Sequence, residues 1–89
     1  MQLSHHSPEN QLLGSLLREL RLKAGLRQVE VAERLSTHQS YVSKYEQGEK
    51  SFKFVEVRIL CARVLDMPFQ KFVRLYEERL ADMRRAERS

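Results

Sequence analysis

The sequence predicts an all-α domain of five helices, the last of them extended, and three observations carry that prediction. Apolar residues recur three or four positions apart in five separate stretches, the spacing that lines one face of an α-helix. Residues that start and stop helices punctuate those stretches: Ser7-Pro8-Glu9, Gly25, Gly48 and Asp66-Met67-Pro68. The run QVEVAERLSTHQSYVSKYEQG, from Gln28 to Gly48, reads as two short helices joined by a tight turn.

Residues 1–7 have no periodicity and read as a loose tail, and His5 and His6 have no third ligand nearby, so no metal site is expected there. The first helix opens at Ser7-Pro8-Glu9, with Ser as N-cap, Pro at the first helical position and a carboxylate at the positive end of the dipole. Leu12, Leu13, Leu16, Leu17, Leu20 and Ala24 share its inner face, and Gly25 followed by apolar Leu26 is a Schellman ending. Arg18, Arg21, Lys23 and Arg27 give this helix and its exit a basic bias. In the second helix Val31, Ala32 and Leu35 share a face, with Ala32 small enough for a steep helix crossing. Glu30 and Arg34, four apart, are spaced to pair on its solvent side. Val42 and Tyr45 form the inner face of the third helix. At about eight residues, neither of these two helices is stable without its neighbours.

The fourth helix runs from about Phe54 to Leu65, with Val57, Leu60, Cys61, Val64 and Leu65 inward. Cys61 lies on that stripe and reads as a buried small hydrophobe rather than a reactive thiol. Pro68 suits the first turn of the fifth helix, where Phe69, Phe72, Val73, Tyr76, Leu80 and Met83 hold one stripe. That stripe outruns a five-helix core. A second copy of the same helix is the simplest cover and makes those six residues a dimer interface; folding back over its own subunit is the alternative. Arg84, Arg85 and Arg88 suit the negative end of the helix. The expected division is therefore a tail at 1–7, a helical domain at 8–76 with the two short helices and their turn at 28–48, and a dimerisation segment at 77–89.

The third helix turns outward a row with almost nothing apolar in it: His38, Gln39, Ser40, Ser43 and Lys44. Such a row packs poorly and reads base edges well, since Gln bridges adenine N6 and N7, Lys reaches guanine O6 and N7, and Ser donates or accepts. The spacing of Gln28, Ala32, Val42, Ser43, Glu46 and Gly48 resembles the helix-turn-helix of the lambda-repressor-like (XRE) family of bacterial and phage transcription regulators. VSKYEQGEK is similar to the end of that family's recognition helix, and the resemblance extends roughly from Leu12 to Val73.

The resemblance implies a lambda-repressor-like five-helix DNA-binding domain. It further implies double-stranded DNA as the partner, no cofactor, and a cytoplasmic location for a bacterial or phage-encoded protein, with the nucleoid when bound. It implies that Gln28 bonds a backbone phosphate and braces Gln39, that Arg21 pairs with Glu46, and that Lys50, where relatives often carry Arg, faces phosphate. The chain departs from the pattern at three places. Ser36 stands where the family usually has Gly, and at positive φ it would cost roughly 1 kcal/mol. His38 replaces a capping Ser or Thr, so either Thr37 caps or the helix begins a residue early; His38 itself touches DNA or caps poorly. Lys53 replaces an Asp that would form a capping box with Glu56, so the fourth helix frays or uses Ser51 and the charge of Lys53 is left for DNA. Three roles suit Tyr41: its hydroxyl on a phosphate, its ring on a thymine methyl, or simple packing. The candidate DNA-binding set is Gln28, His38, Gln39, Ser40, Tyr41, Ser43, Lys44, Lys50 and Lys53.

Composition sets limits on this reading. Eighty-nine residues make one small domain, which buries only about 60 to 65 % of its unfolded surface, so a dimer interface would help it. Sixteen basic residues against twelve acidic ones give +4, which favours an anionic partner. Residues 28–53, however, hold four of each sign, so affinity for DNA must come from where charges point. A single cysteine excludes an internal disulfide and fits a reducing compartment, and no apolar run is long enough for a membrane span. The expected function is a sequence-specific transcription regulator, a repressor by default, acting as a homodimer on a near-palindromic operator. The alternative is an antitoxin-like or adaptor protein that binds a second protein and regulates its own gene. An enzyme is not expected, because no nucleophile-base set, phosphate-cradling glycine loop or paired inward carboxylates occur.

Overall fold

The computed structural model describes residues 6–88 and, among them, holds five α-helices and no strand: α1 Pro8–Lys23, α2 Gln28–Arg34, α3 Gln39–Glu46, α4 Phe54–Leu60 and α5 Phe69–Arg88. A π-helical turn, Cys61–Leu65, continues α4. Most of the expected tail, including His5, lies outside the described residues; Ser7 N-caps α1, its Oγ accepting from the Asn10 amide at 3.2 Å.

Three helices end with the same backbone device. At the end of α1, Leu26 N–H reaches Arg21 O at 3.1 Å and Gly25 N–H reaches Leu22 O at 3.0 Å, with Gly25 at φ +73°. α3 closes the same way through Gly48, at φ +74°, and a 2.8 Å bond from Glu49 N to Lys44 O. Both are Schellman motifs, which satisfy the last carbonyls of a helix and need a left-handed residue to do so. α2 uses the motif too, through a 2.9 Å bond from Thr37 N to Ala32 O, but its left-handed residue is Ser36 at φ 54°. Ser36→Gly is therefore expected to stabilise the domain by about 1 kcal/mol, raising Tm by roughly 4 °C. Thermal unfolding that gave no rise would mean that the Ser36 side chain offsets its own strain.

The starts of α3 and α4 are weaker. α3 begins at Gln39 with His38 as N-cap, and neither His38 nor Thr37 bonds the first turn through its side chain. Lys53 is the N-cap of α4, again without a side-chain bond, and Glu56 accepts a 2.6 Å bond from Tyr45 Oη in place of a capping box. Glu30 does not pair with Arg34. Its carboxylate lies against Arg27, accepting from the Arg27 amide at 2.9 Å and Nε at 3.1 Å, and these bonds hold its pKa down. Arg34 instead donates to Val64 O at 3.3 Å, tying α2 to the π turn.

Two groups of buried side chains form the core. Leu16, Leu17 and Leu20 of α1 meet Val57, Cys61 and Phe72 in one, and Val31 and Ala32 of α2 meet Val42 of α3 and Val64 in the other. The π turn joins them, because Cys61 faces the first group and Val64 the second. Burial pushes the Cys61 thiol pKa up.

Much of the α5 stripe is covered within this chain: Phe72 and Leu80 are only 3 % and 7 % exposed, and Phe69 and Tyr76 pack against the first core group. Tyr76 Oη donates to Glu9 O at 3.0 Å and Arg79 pairs with Glu19 at 2.8 Å, so α5 lies across α1 of its own chain. The helix runs unbroken through residues 76 and 77. Of the six residues expected at an interface, Val73 is exposed and Phe69, Tyr76 and Met83 are half-buried. The distal turns carry charge rather than apolar surface, including an Arg85–Asp82 pair.

Candidate nucleic-acid interface

α3 is held in place from behind. Where α1 crosses it, Gly14 leaves no side chain between the helices: a Cβ built there would lie 2.5 Å from Tyr45 O and 2.9 Å from Glu46 O. α2 packs on the other flank through Ala32, which is buried against Val42. Tyr45 stacks on Phe52 with ring centroids 4.5 Å apart, and its hydroxyl is anchored on Glu56. Partial burial, followed by the bond to Glu56, pushes the Tyr45 pKa up to about 12.

At the end of α3 an ion pair ties it to α1. Arg21 Nε and Nη2 donate to the two carboxylate oxygens of Glu46 at 2.6 and 2.9 Å, and Nη1 donates to Leu26 O at 2.8 Å. The two side chains are 10 % and 6 % exposed, so the pair is desolvated and its geometry is bidentate. Glu46 Oε1 also accepts from Gln28 Nε2 at 3.0 Å, and Gln28 Oε1 accepts from Gln39 Nε2 at 2.6 Å. These bonds form one continuous chain from the buried guanidinium to the first residue of α3.

Its polarity follows from chemistry. A carboxylate only accepts, so Gln28 must turn its NH₂ to Glu46 and its oxygen to Gln39, and Gln39 must answer with NH₂. Gln39 keeps its carbonyl oxygen and one N–H for another partner, which is the set that bridges adenine N6 and N7. Gln28 keeps one N–H, enough for a phosphate oxygen.

The outer face of α3 is open. His38, Gln39, Ser40, Tyr41 and Lys44 are exposed, and Ser43 is half-buried, its Oγ accepting from Gln47 Nε2 at 3.1 Å. Tyr41 is not core. Its ring stacks with His38, centroids 6.3 Å apart, and Lys50 Nζ sits 3.9 Å from its ring centroid. Lys50 is half-buried and Lys53 exposed. Gln28 is half-buried at the start of α2, beside this face. Sequence reasoning did not single out Gly14, Asn10 or Gln11. Asn10 Nδ2 donates to Lys50 O at 3.0 Å and Gln11 Nε2 to Gly48 O at 3.1 Å, contacts across the fold that periodicity does not register. A glycine inside an apolar helical repeat was the available signal for Gly14.

Among the described residues no group of three His, Cys, Asp or Glu is placed to hold a metal ion, and no helix is long and apolar enough to cross a membrane.

Two buttressed helices with a polar, outward third helix define the helix-turn-helix class of DNA-binding transcription regulators. The chain belongs to the family described as a helix-turn-helix domain, whose sequence profile matches residues 12–67. No curated protein matches the sequence. Among solved structures, the restriction-modification controller protein C.AhdI from Aeromonas hydrophila is 31 % identical, with 70 % of this chain and 92 % of that one covered and a TM-score of 0.64. The clp gene regulator ClgR from Corynebacterium glutamicum shares the fold at 22 % identity, with 91 % and 85 % covered and a TM-score of 0.80. Wild-type restriction-modification controller protein C.Esp1396I shares it at 14 % identity, with 86 % and 99 % covered and a TM-score of 0.79.

Proposed function

We propose that this chain is a sequence-specific regulator of transcription that binds double-stranded DNA as a homodimer and represses by occupying a near-palindromic operator. The observation that carries the reading is the exposed row of Gln39, Ser40 and Lys44 on a helix braced by the Arg21–Glu46–Gln28 chain. A donor and acceptor already oriented on Gln39, at the start of an open helix, suit a major groove, because part of that side chain's entropy is lost before binding. The resemblance to a controller protein and a gene regulator supports a regulatory role.

In this reading Gln39, Ser40, Ser43 and Lys44 meet base edges, with Tyr41 at the rim, while Gln28, His38, Lys50 and Lys53 face phosphates. Gln39→Ala is expected to cost about 1 to 3 kcal/mol at one base-pair position, and Lys50→Ala to weaken all sequences alike and flatten the salt slope by about one unit. Titrating both variants against the duplex that the wild type enriches from a random pool, and against its point variants, separates the two roles. Identical profiles for the two would reject the division into readers and positioners.

The two-fold contact is better placed at the start of α4 than along distal α5. Phe54 and Val55 are 69 % and 62 % exposed, and Phe54 lies edge-on to Phe69 at 5.1 Å beside exposed Val73. An apolar patch of this kind on a small domain is surface that association would bury. Two recognition helices would then meet major grooves about 34 Å apart. Phe54→Asp is expected to yield monomers in sedimentation and to lose most operator affinity; a variant that stayed dimeric would move the interface elsewhere. The same patch on an unrelated protein is the alternative reading, and a stoichiometric partner co-purifying with the endogenous protein would favour it. We place the DNA-binding unit at residues 8 to about 83, past the boundary at 76 that periodicity suggested, because Leu80 is buried on it.

A further inference from the structure

We infer that Asn10 and Gln11, on the first turn of α1 and remote in sequence from the recognition helix, are positioning residues for the phosphate contact of Lys50. The inference rests on the DNA-binding reading above and adds to it the element that aims the charge.

The loop after α3 has no helix or strand of its own between Gly48 and Lys53. A segment of that kind moves unless its backbone is held. Two side-chain amides hold it. Gln11 donates to Gly48 O at 3.1 Å and Asn10 to Lys50 O at 3.0 Å, so the carbonyls on either side of Glu49 are both fixed to α1. The fit at Gly48 is close, because a Cβ there would run into the Gln11 amide. Gly48 suits its left-handed φ, and a Cβ there would push the Gln11 amide off its bond. α1 is steadied in turn at Glu9 O, which accepts from Tyr76 of α5.

With its backbone fixed by Asn10, Lys50 is also fixed at its tip. Its ammonium lies 3.9 Å over the ring of Tyr41, which itself stacks with His38 at the start of α3. A lysine anchored at both ends presents its charge at one place beside the recognition helix. A lysine on a loose loop presents it over many, and each lost orientation weakens the contact. Asn10 and Gln11 therefore act through Lys50 and carry no base information themselves.

The test uses charge-neutral replacements that keep size, Asn10→Leu and Gln11→Met, singly and together, each also combined with Lys50→Ala. The probes are the duplex that the wild type enriches from a random pool and a shuffled duplex of equal length. The expected result is a loss of about fivefold to tenfold on both duplexes and a salt slope lower by about one unit. Thermal stability and ranking of operator variants should be retained, and no further loss should appear in the Lys50→Ala background, because the coupled residues share one contact. An unchanged slope, or an equal loss with and without Lys50, would overturn the assignment of Asn10 and Gln11. If the double replacement does not fold, Gln11→Met alone decides by the same criteria. A wild-type protein that prefers no duplex over the shuffled one would instead overturn the DNA-binding reading, and this inference with it.

Discussion

Gly14→Ala is expected to destabilise this protein by about 2 kcal/mol and to lower its Tm by roughly 10 °C, although the substitution improves helix propensity. The two effects have opposite signs, so the result discriminates. Alanine in the middle of a helix is favoured over glycine by about 1 kcal/mol. Against that stands the crossing of α1 and α3, where the new methyl would sit 2.5 Å from Tyr45 O and 2.9 Å from Glu46 O. Both obstacles are backbone, which cannot rotate away as a side-chain tip can. α3 must shift, and with it the carboxylate of Glu46 that Arg21 and Gln28 share. Loss of stability should thus come with loss of affinity for the selected duplex. An unchanged or raised Tm would mean that the helices separate at no cost and that Gly14 does not set their distance.

How far such features can be read from the sequence depends on how local their causes are. The left-handed ends at Gly25 and Gly48 are written in one or two residues, whereas that at Ser36 was indicated only by the resemblance, since relatives usually carry Gly there. The five helices follow from apolar spacing, which is also local. Periodicity says that Phe72 and Leu80 share a face but not whose surface covers it; here α1 of the same chain does. Glu30 had two arginines within reach; the four-residue spacing pointed to Arg34, whereas the carboxylate pairs with Arg27 at the N-terminus and Arg34 reaches Val64 O. In the candidate site, exposure of the row from His38 to Lys44 could be argued from its polarity. Family resemblance pointed to Arg21 beside Glu46 and Gln28 beside Gln39. The bond from Gln28 to Glu46 that joins these pairs into one chain needed three-dimensional placement. Asn10 and Gln11 reach carbonyls 40 and 37 residues away, beyond any local pattern.

Arg21→Met is expected to cost about 3 to 5 kcal/mol, a large share of the total stability of a domain this small. The reason is the carboxylate left behind. Glu46 is 6 % exposed, and without the guanidinium it keeps only the Gln28 amide to compensate its charge. Removing both partners should behave otherwise. Arg21→Met with Glu46→Leu buries no charge, and replacing a buried pair by apolar groups is commonly neutral or stabilising. Denaturant unfolding should therefore rank wild type and double variant close together, with the single variant well below. DNA binding should not follow that order. With Glu46 gone, nothing requires Gln28 to turn its NH₂ inward, so its amide is free to flip and Gln39 loses the fixed polarity with which it faces a base. The double variant should fold and still bind, with discrimination at the base pair read by Gln39 reduced about tenfold, within the range of one bidentate contact. A double variant as unstable as the single would show that the pair is not what the fold requires at that crossing. Full discrimination in a well-folded double variant would show that Gln39 is oriented by something other than the chain of bonds leading back to Arg21.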